Sequence, residues 1–226
     1  MSEKGSRGRI VAEILNVDPI TPQSERIARA AELIRQGQVI AIPTDTLYGL
    51  AGDPYQTAAV ERLFNAKGRP PAAPVLLLVD SIEMAAGLSK NLPASFHALA
   101  ERYWPGPLTI VVEATERIPA IVTANTGRVG MRLPAAAIPQ ALIGALGGPI
   151  TGTSANRSGR SECRSSAEVE AALGDTLPLI LDGGPSQETI PSTVISLRRE
   201  SWELIREGAI RRTALEAFFR RMEAGK

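Results

Sequence analysis

Histidine and cysteine are almost missing from this sequence: 226 residues contain one of each, His97 and Cys163. A lone cysteine excludes an intrachain disulfide. Neither residue type is plentiful enough for the three or four ligands of a typical zinc site. A Ser-His-Asp or Cys-His pair would have to use His97, which lies in the helix-like run Phe96-His97-Ala98-Leu99. A packed or surface histidine is the simpler reading there. Charge of one sign is lacking too: 25 Lys and Arg face 24 Asp and Glu, a formal net charge of +1, so bulk charge argues neither for nor against nucleic acid. No apolar run reaches membrane-spanning length, and no membrane association is expected. Residues 1–9 are polar and basic without the apolar core of a secretion signal, so the expected compartment is the cytoplasm. The chain has no G-x-x-x-x-G-K-[ST] motif, which excludes a P-loop ATPase. Chemistry is left to arginine, lysine, hydroxyls, backbone amides and any metal that arrives with a ligand.

What is present is an alternation of apolar runs and polar turns. Val39-Ile40-Ala41-Ile42 reads as a buried strand, ended by Pro43 and followed by Thr44-Asp45-Thr46-Leu47-Tyr48-Gly49-Leu50. Short polar side chains at the end of a buried strand are where an open α/β sheet places ligands. Further strands are expected over residues 10–17, 75–79, 108–112, 128–133, 149–153, 177–181, 193–197 and 202–206. Helices are expected from Thr21-Pro22 to Ile34, over 57–66, after Ser81 and Ser95, and over 138–146, 167–173 and 211–226. The last is amphipathic, with Leu215, Phe218, Phe219 and Met222 at helical spacing. No linker or repeat divides the chain, so 1–226 reads as one domain, with 1–9 disordered. The class is α/β, a twisted open mixed β-sheet with flanking helices.

Several clusters stand at element ends. Lys67-Gly68-Arg69 sets two cations around a glycine; it suits an anion, or equally a helix C-terminus whose basic residues complete the dipole. Arg128 and Arg132 fall on one face of a strand, which implies an anion or carboxylate between them, the alternative being surface salt bridges. Ser154-Ala155-Asn156 follows a strand and suits a phosphate or adenine contact, or a helix cap. Pro191-Ser192-Thr193 and Arg206-Glu207-Gly208 read as turn chemistry, with Arg206 placed to reach a phosphate.

Taken in order, these stretches resemble the YrdC-like threonylcarbamoyl-AMP synthase family. The matching stretches begin with residues 43–50 and Lys67-Gly68-Arg69-Pro70. Trp104-Pro105-Gly106-Pro107-Leu108-Thr109 and Val129-Gly130-Met131-Arg132-Leu133-Pro134 come next. Thr153-Ser154-Ala155-Asn156-Arg157-Ser158-Gly159, Pro191-Ser192-Thr193-Val194-Ile195 and Arg206-Glu207-Gly208 complete the series.

The resemblance implies a YrdC-like fold around a deep concave basic site. It implies condensation of L-threonine, bicarbonate and ATP to threonylcarbamoyl-AMP and pyrophosphate. A downstream threonylcarbamoyl transferase complex then modifies tRNA, with direct tRNA contact left open. By resemblance, Thr46, Arg132 and Ser192 hold L-threonine. Lys67, Arg69, Arg128, Gly152, Ser154, Asn156 and Arg206 line the ATP site, with Lys67 and Arg69 in the catalytic role. Mg2+ is expected on the triphosphate, held by phosphate oxygens and water rather than by protein side chains.

The sequence also departs from the family. Ala73 and Leu78 stand where many members carry Asn and His, and the C-terminal domain of longer relatives is not expected. An alternative is a paralogue that binds RNA or a nucleotide without the synthase activity. A carbamoyl-adenylating domain is disfavoured, because those lie in larger chains with zinc-finger-like cysteines.

Overall fold

The computed structural model describes residues 11–68, 73–186, 188, 190–199 and 201–224. The expected disorder of 1–9, the expected strand start at Ile10, and Arg69 lie outside the described residues.

In chain order the elements begin with β1 (Glu13–Asn16), α1 (Ser24–Arg35), β2 (Ile40–Ile42), β3 (Gly49–Ala51), α2 (Thr57–Lys67) and β4 (Leu77–Leu78). Then follow α3 (Ile82–Gly87), α4 (Ser95–Tyr103), β5 (Leu108–Glu113), α5 (Ala120–Thr123), β6 (Arg128–Arg132) and α6 (Ala137–Leu146). The chain continues through β7 (Ile150–Thr151), β8 (Thr153–Ser154), α7 (Ser166–Leu173), β9 (Leu179–Asp182), β10 (Thr193–Leu197), β11 (Trp202–Arg206) and α8 (Arg212–Ala224).

Two sheets form rather than one. A five-stranded sheet runs β1-β9-β2-β3-β8 and a six-stranded sheet runs β11-β10-β5-β6-β4-β7; both mix parallel and antiparallel pairs. The single strand expected over 149–153 explains the difference. It breaks at Gly152, with β7 pairing β4 in one sheet and β8 pairing β3 in the other. A Cβ on Gly152 would lie 2.5 Å from Leu78 Cγ, so the chain passes between sheets only because this residue has no side chain.

The inner strands β2 and β3 of the smaller sheet are buried on both faces, while its edge strand β1 is largely exposed. In β2, Ala41 packs into one core while Ile40 and Ile42 pack into the other, against Ile27, Ala30 and Ile34 of α1 and Ile138 and Leu142 of α6. That double burial is why the strand reads as a continuous apolar run. The larger sheet alternates instead. Leu108, Ile110, Val129, Met131, Ile195 and Leu197 enter the core. Their neighbours Thr109, Val111, Arg128, Gly130, Arg132, Val194 and Ser196 face a cleft. Period-two alternation thus gives the cleft its floor.

Local differences have local causes. Helix α1 begins at Ser24 instead of Thr21, because Asp18 Oδ1 accepts from the backbone N–H of Ile20 and Thr21, both at 2.9 Å, and holds them in a turn. Ser81 caps α3, accepting from Met84 N at 3.1 Å, whereas Ser95 is the first residue of α4 rather than its cap. Strand β3 forms where no strand was expected, and α5 is a four-residue turn with no apolar period to announce it. In α8 only Leu215 is fully buried; Phe218 and Phe219 pack partly, and Phe219 stacks on Trp202 at 4.6 Å.

Candidate functional site

The cleft has a volume of about 710 Å³. Strand end β2 delivers the 43–50 stretch to it, the C-terminus of α2 delivers Lys67, and the turn at β8 delivers Ser154 and Asn156. Strands β5, β6, β10 and β11 provide the rest. Of the residues singled out from sequence, Thr46, Lys67, Arg128, Arg132, Gly152, Ser154, Asn156, Ser192 and Arg206 all line it. Thr44, Thr109, Ser196, Arg198, Glu162 and Glu203 line it as well and were not singled out. Thr44 and Thr109 stood inside matching stretches. The others lie on strand faces or turns whose direction only the sheet register reveals.

At one end Arg132 is 3% exposed. Its Nε donates to Gly106 O at 2.9 Å and its Nη1 to Thr46 Oγ1 at 2.8 Å. Nη2 lies 2.6 Å from Asp45 Oδ1. That approach is off the N–H axis, so the two form an ion pair without an aligned hydrogen bond, and both buried atoms keep unmet hydrogen-bonding capacity. Of the anion or carboxylate expected beside Arg128 and Arg132, Arg132 meets a carboxylate of the chain itself, Asp45.

Arg128 instead spans the sheet. Its Nη2 donates to Val111 O at 3.1 Å, Ser196 Oγ at 3.0 Å and Leu197 O at 2.7 Å. Burial pushes its guanidinium below the ordinary value, Arg198 adds to that, and Glu113 opposes it.

Lys67 is 4% exposed. Its ammonium donates to the Ser154 carbonyl, to the Asn156 carbonyl at 2.9 Å and to Asn156 Oδ1 at 3.2 Å. Asn156 is held in turn, its Nδ2 donating to Arg157 O at 3.2 Å and Arg160 O at 2.6 Å. Ser154 Oγ donates to Asn156 Oδ1 at 2.6 Å. Lysine, serine and asparagine therefore form a network that shapes the 154–160 turn. Lys67 clamps that turn, and the cleft meets the lone pairs of Ser154, its proton being committed. The polar loop is pinned at Ser158 also, whose N–H donates to Lys67 O at 2.9 Å.

Ser192 is 4% exposed and shares a 3.0 Å hydrogen bond with Thr109. Arg206 lies over it, donating from Nη2 to Ser192 O at 2.8 Å and to Ser192 Oγ at 3.3 Å. Gly208 makes this fit possible: a Cβ there would stand 2.2 Å from Pro191 O.

The two scarce nucleophile-type residues stand apart from this chemistry. His97 is exposed on α4, edge-on to Phe96 at 5.3 Å. Cys163 is buried, and burial pushes its thiol up, away from the reactive thiolate. Among the described residues no cluster of three or more His, Cys, Asp or Glu offers a metal site, and no helix is long and apolar enough to cross a membrane.

Comparison with known proteins places these features in a family. The model for Sua5, YciO and YrdC proteins, described as telomere recombination, matches residues 32–208. A threonylcarbamoyl-AMP synthase of Pyrococcus abyssi is 37% identical over 185 residues, 82% of this chain and 54% of that protein. A crystal structure of P. abyssi Sua5 complexed with L-threonine superposes with a TM-score of 0.88 at 35% identity, covering 92% of this chain and 61% of that one. A shorter threonylcarbamoyl-AMP synthase of Vibrio vulnificus is 33% identical over 184 residues, 80% of this chain and 98% of that protein. The chain thus spans little more than half the length of the P. abyssi relative and nearly all of the V. vulnificus one. By the extent of the family match and of these identities, the chain belongs to the Sua5/YciO/YrdC family.

Proposed function

We propose that the chain is an L-threonylcarbamoyladenylate synthase of the cytoplasm. The observation that carries this reading is one continuous cleft whose lining includes Thr46 and Arg132 at one end, and Lys67, Ser154 and Asn156 on another side. Arg206 on Ser192 joins the two assigned sets of residues. A volume of about 710 Å³ is in the range of small-molecule sites and suits two substrates side by side.

In this reading L-threonine lies against Thr46, Arg132 and Ser192, and ATP lies along Arg206, Arg128, Gly152 and the turn that Lys67 clamps. Arg69 is assigned to ATP by the resemblance of Lys67-Gly68-Arg69-Pro70 alone. The threonine nitrogen attacks the carbon of bicarbonate, losing a proton and then water to give the carbamate. A carbamate oxygen attacks the α-phosphorus of ATP, the bond to the β-phosphate oxygen breaks, and pyrophosphate leaves. One threonine, one bicarbonate and one ATP become threonylcarbamoyl-AMP, pyrophosphate and water. Such a transfer depends on positioning and charge neutralisation more than on a strong base, which suits a cleft without histidine or thiolate. Magnesium enters with ATP as part of the substrate. The product serves a transferase that modifies tRNA.

The test is pyrophosphate release by the pure protein with ATP, magnesium, bicarbonate and L-threonine. Release that requires both threonine and bicarbonate supports the reading. Nucleotide binding with release independent of both would favour a nucleotide-binding paralogue and sink it.

A further inference from the structure

The hydroxyls at the Arg132 end of the cleft have a fixed polarity. Thr44 Oγ1 lies 2.7 Å from Leu47 O, and a carbonyl only accepts, so the Thr44 proton is committed there. Thr46 N–H donates to Thr44 Oγ1 at 3.1 Å, taking one of its two lone pairs. The 3.1 Å contact between Thr44 Oγ1 and Thr46 Oγ1 then has only one possible direction: Thr46 donates and Thr44 accepts. Arg132 Nη1 donates into Thr46 Oγ1 at 2.8 Å. The chain of donors runs Arg132 to Thr46 to Thr44 to Leu47 O, and each bond polarises the next.

This leaves Thr46 with its proton used, one lone pair used and one lone pair remaining. Thr46 is 4% exposed and lines the cleft. Beside it, Arg132 Nη2 is buried against Asp45 Oδ1 at 2.6 Å, so the acceptor at Thr46 is the group this end turns to the cleft. The end of the cleft therefore presents a hydrogen-bond acceptor, which is matched by a ligand that brings a hydrogen-bond donor.

The geometry points to Thr44 as a positioning residue that holds the Thr46 hydroxyl as an acceptor, so that Thr46 receives a hydrogen bond from the ammonium or hydroxyl of the amino acid. This rests on the synthase reading only for the identity of the ligand; the hydroxyl polarity belongs to the ligand-free protein. A carboxylate oxygen at Thr46 would meet a lone pair and be disfavoured.

Two measurements test it. In the ligand-free protein, NMR should detect a Thr46 hydroxyl proton protected from water exchange, lost in Thr44→Val and retained in Thr44→Ser. Calorimetry should then compare L-threonine with O-methyl-L-threonine, which lacks the hydroxyl donor, and with 3-hydroxybutyrate, which lacks the ammonium. Whichever analogue removes the donor to Thr46 should bind about tenfold more weakly to the wild type, the usual order for one net hydrogen bond. In Thr44→Val the Thr46 proton is released and the gap should narrow to about threefold or less, with ATP affinity unchanged within about twofold; Thr44→Ser should keep the gap. A Thr46 hydroxyl exchanging freely in the wild type, full discrimination in Thr44→Val, or equal behaviour of the valine and serine variants overturns the inference. A protected hydroxyl in a protein that binds no threonine would refute the synthase reading, and the ligand half of this inference with it, while leaving the hydroxyl polarity standing.

Discussion

Gly152→Ala puts one methyl group where the two sheets part. Its Cβ would lie 2.5 Å from Leu78 Cγ, 2.8 Å from Cδ2 and 3.1 Å from Cδ1. The first of these is the branch point, which a terminal rotation does not move away. Leu78 is 1% exposed, and its backbone is fixed between Arg132 and Ile150. Overpacking of this kind typically costs about 1–3 kcal/mol, and a contact at the branch point argues for the upper half of that range. Leu78→Ala alone leaves a cavity in the core shared with Ile42, Ile138 and Ile150 and should cost about 2–5 kcal/mol. In the double variant the new methyl occupies part of the vacated space. Its loss should fall short of the sum by about 1–2 kcal/mol, within the range of coupling between touching residues. Urea unfolding of the four proteins measures this. Additive losses within about 0.5 kcal/mol would refute the claim that Leu78 is what forbids a side chain at 152.

Other consequences follow from the same contacts. Arg206→Ala should weaken ATP binding by about 1.5–3 kcal/mol, the usual worth of a charged hydrogen bond, with Ser192 left in place; unchanged affinity by calorimetry removes Arg206 from the nucleotide site. Lys67→Met strips donors from Ser154 O, Asn156 O and Asn156 Oδ1 together. It should destabilise the fold by about 1–3 kcal/mol in urea and speed hydrogen exchange across residues 154–160, since Asn156 O loses its ammonium donor while Ser154 O keeps Asn156 N–H and Asn156 Oδ1 keeps Ser154 Oγ; a stable, protected turn in that variant contradicts the clamp. Burial, with Asp182 adding, holds the Tyr48 phenol above its ordinary value of 10.0, so folding favours the neutral form. With the folded value raised, that contribution is complete below the unfolded value and is lost as pH climbs past it. Tyr48→Phe should therefore show a flatter decline of stability above about pH 10 than the wild type; parallel alkaline declines would dismiss the effect.

How much of this was legible beforehand follows from which forces are local. Alternation in Arg128-Val129-Gly130-Met131-Arg132 announces a strand with two arginines on one face, and that is what forms. What those arginines do was not legible. Asp45 reaches Arg132 from another strand end, and Val111 and Leu197 receive Arg128 from neighbouring strands. Such partners depend on register, which no single segment encodes. The strand read over 149–153 failed for a related reason, since its break at Gly152 is dictated by Leu78, over seventy positions earlier. The residues of the cleft were found because they cluster at element ends in a familiar order. The commitment of Lys67 and Ser154 to their own turn was hidden, because the same side chains suit a phosphate equally well on paper.

In the proposed reaction the two ends of one cleft join an amino acid, a carbonate carbon and a nucleotide. The most direct test supplies 13C-bicarbonate, L-threonine and MgATP and examines the adenylate product by mass spectrometry. A single adenylate carrying both threonine and one labelled carbon, formed with one pyrophosphate, is the predicted result. An adenylate without the label, or AMP with no threonine attached, would contradict it.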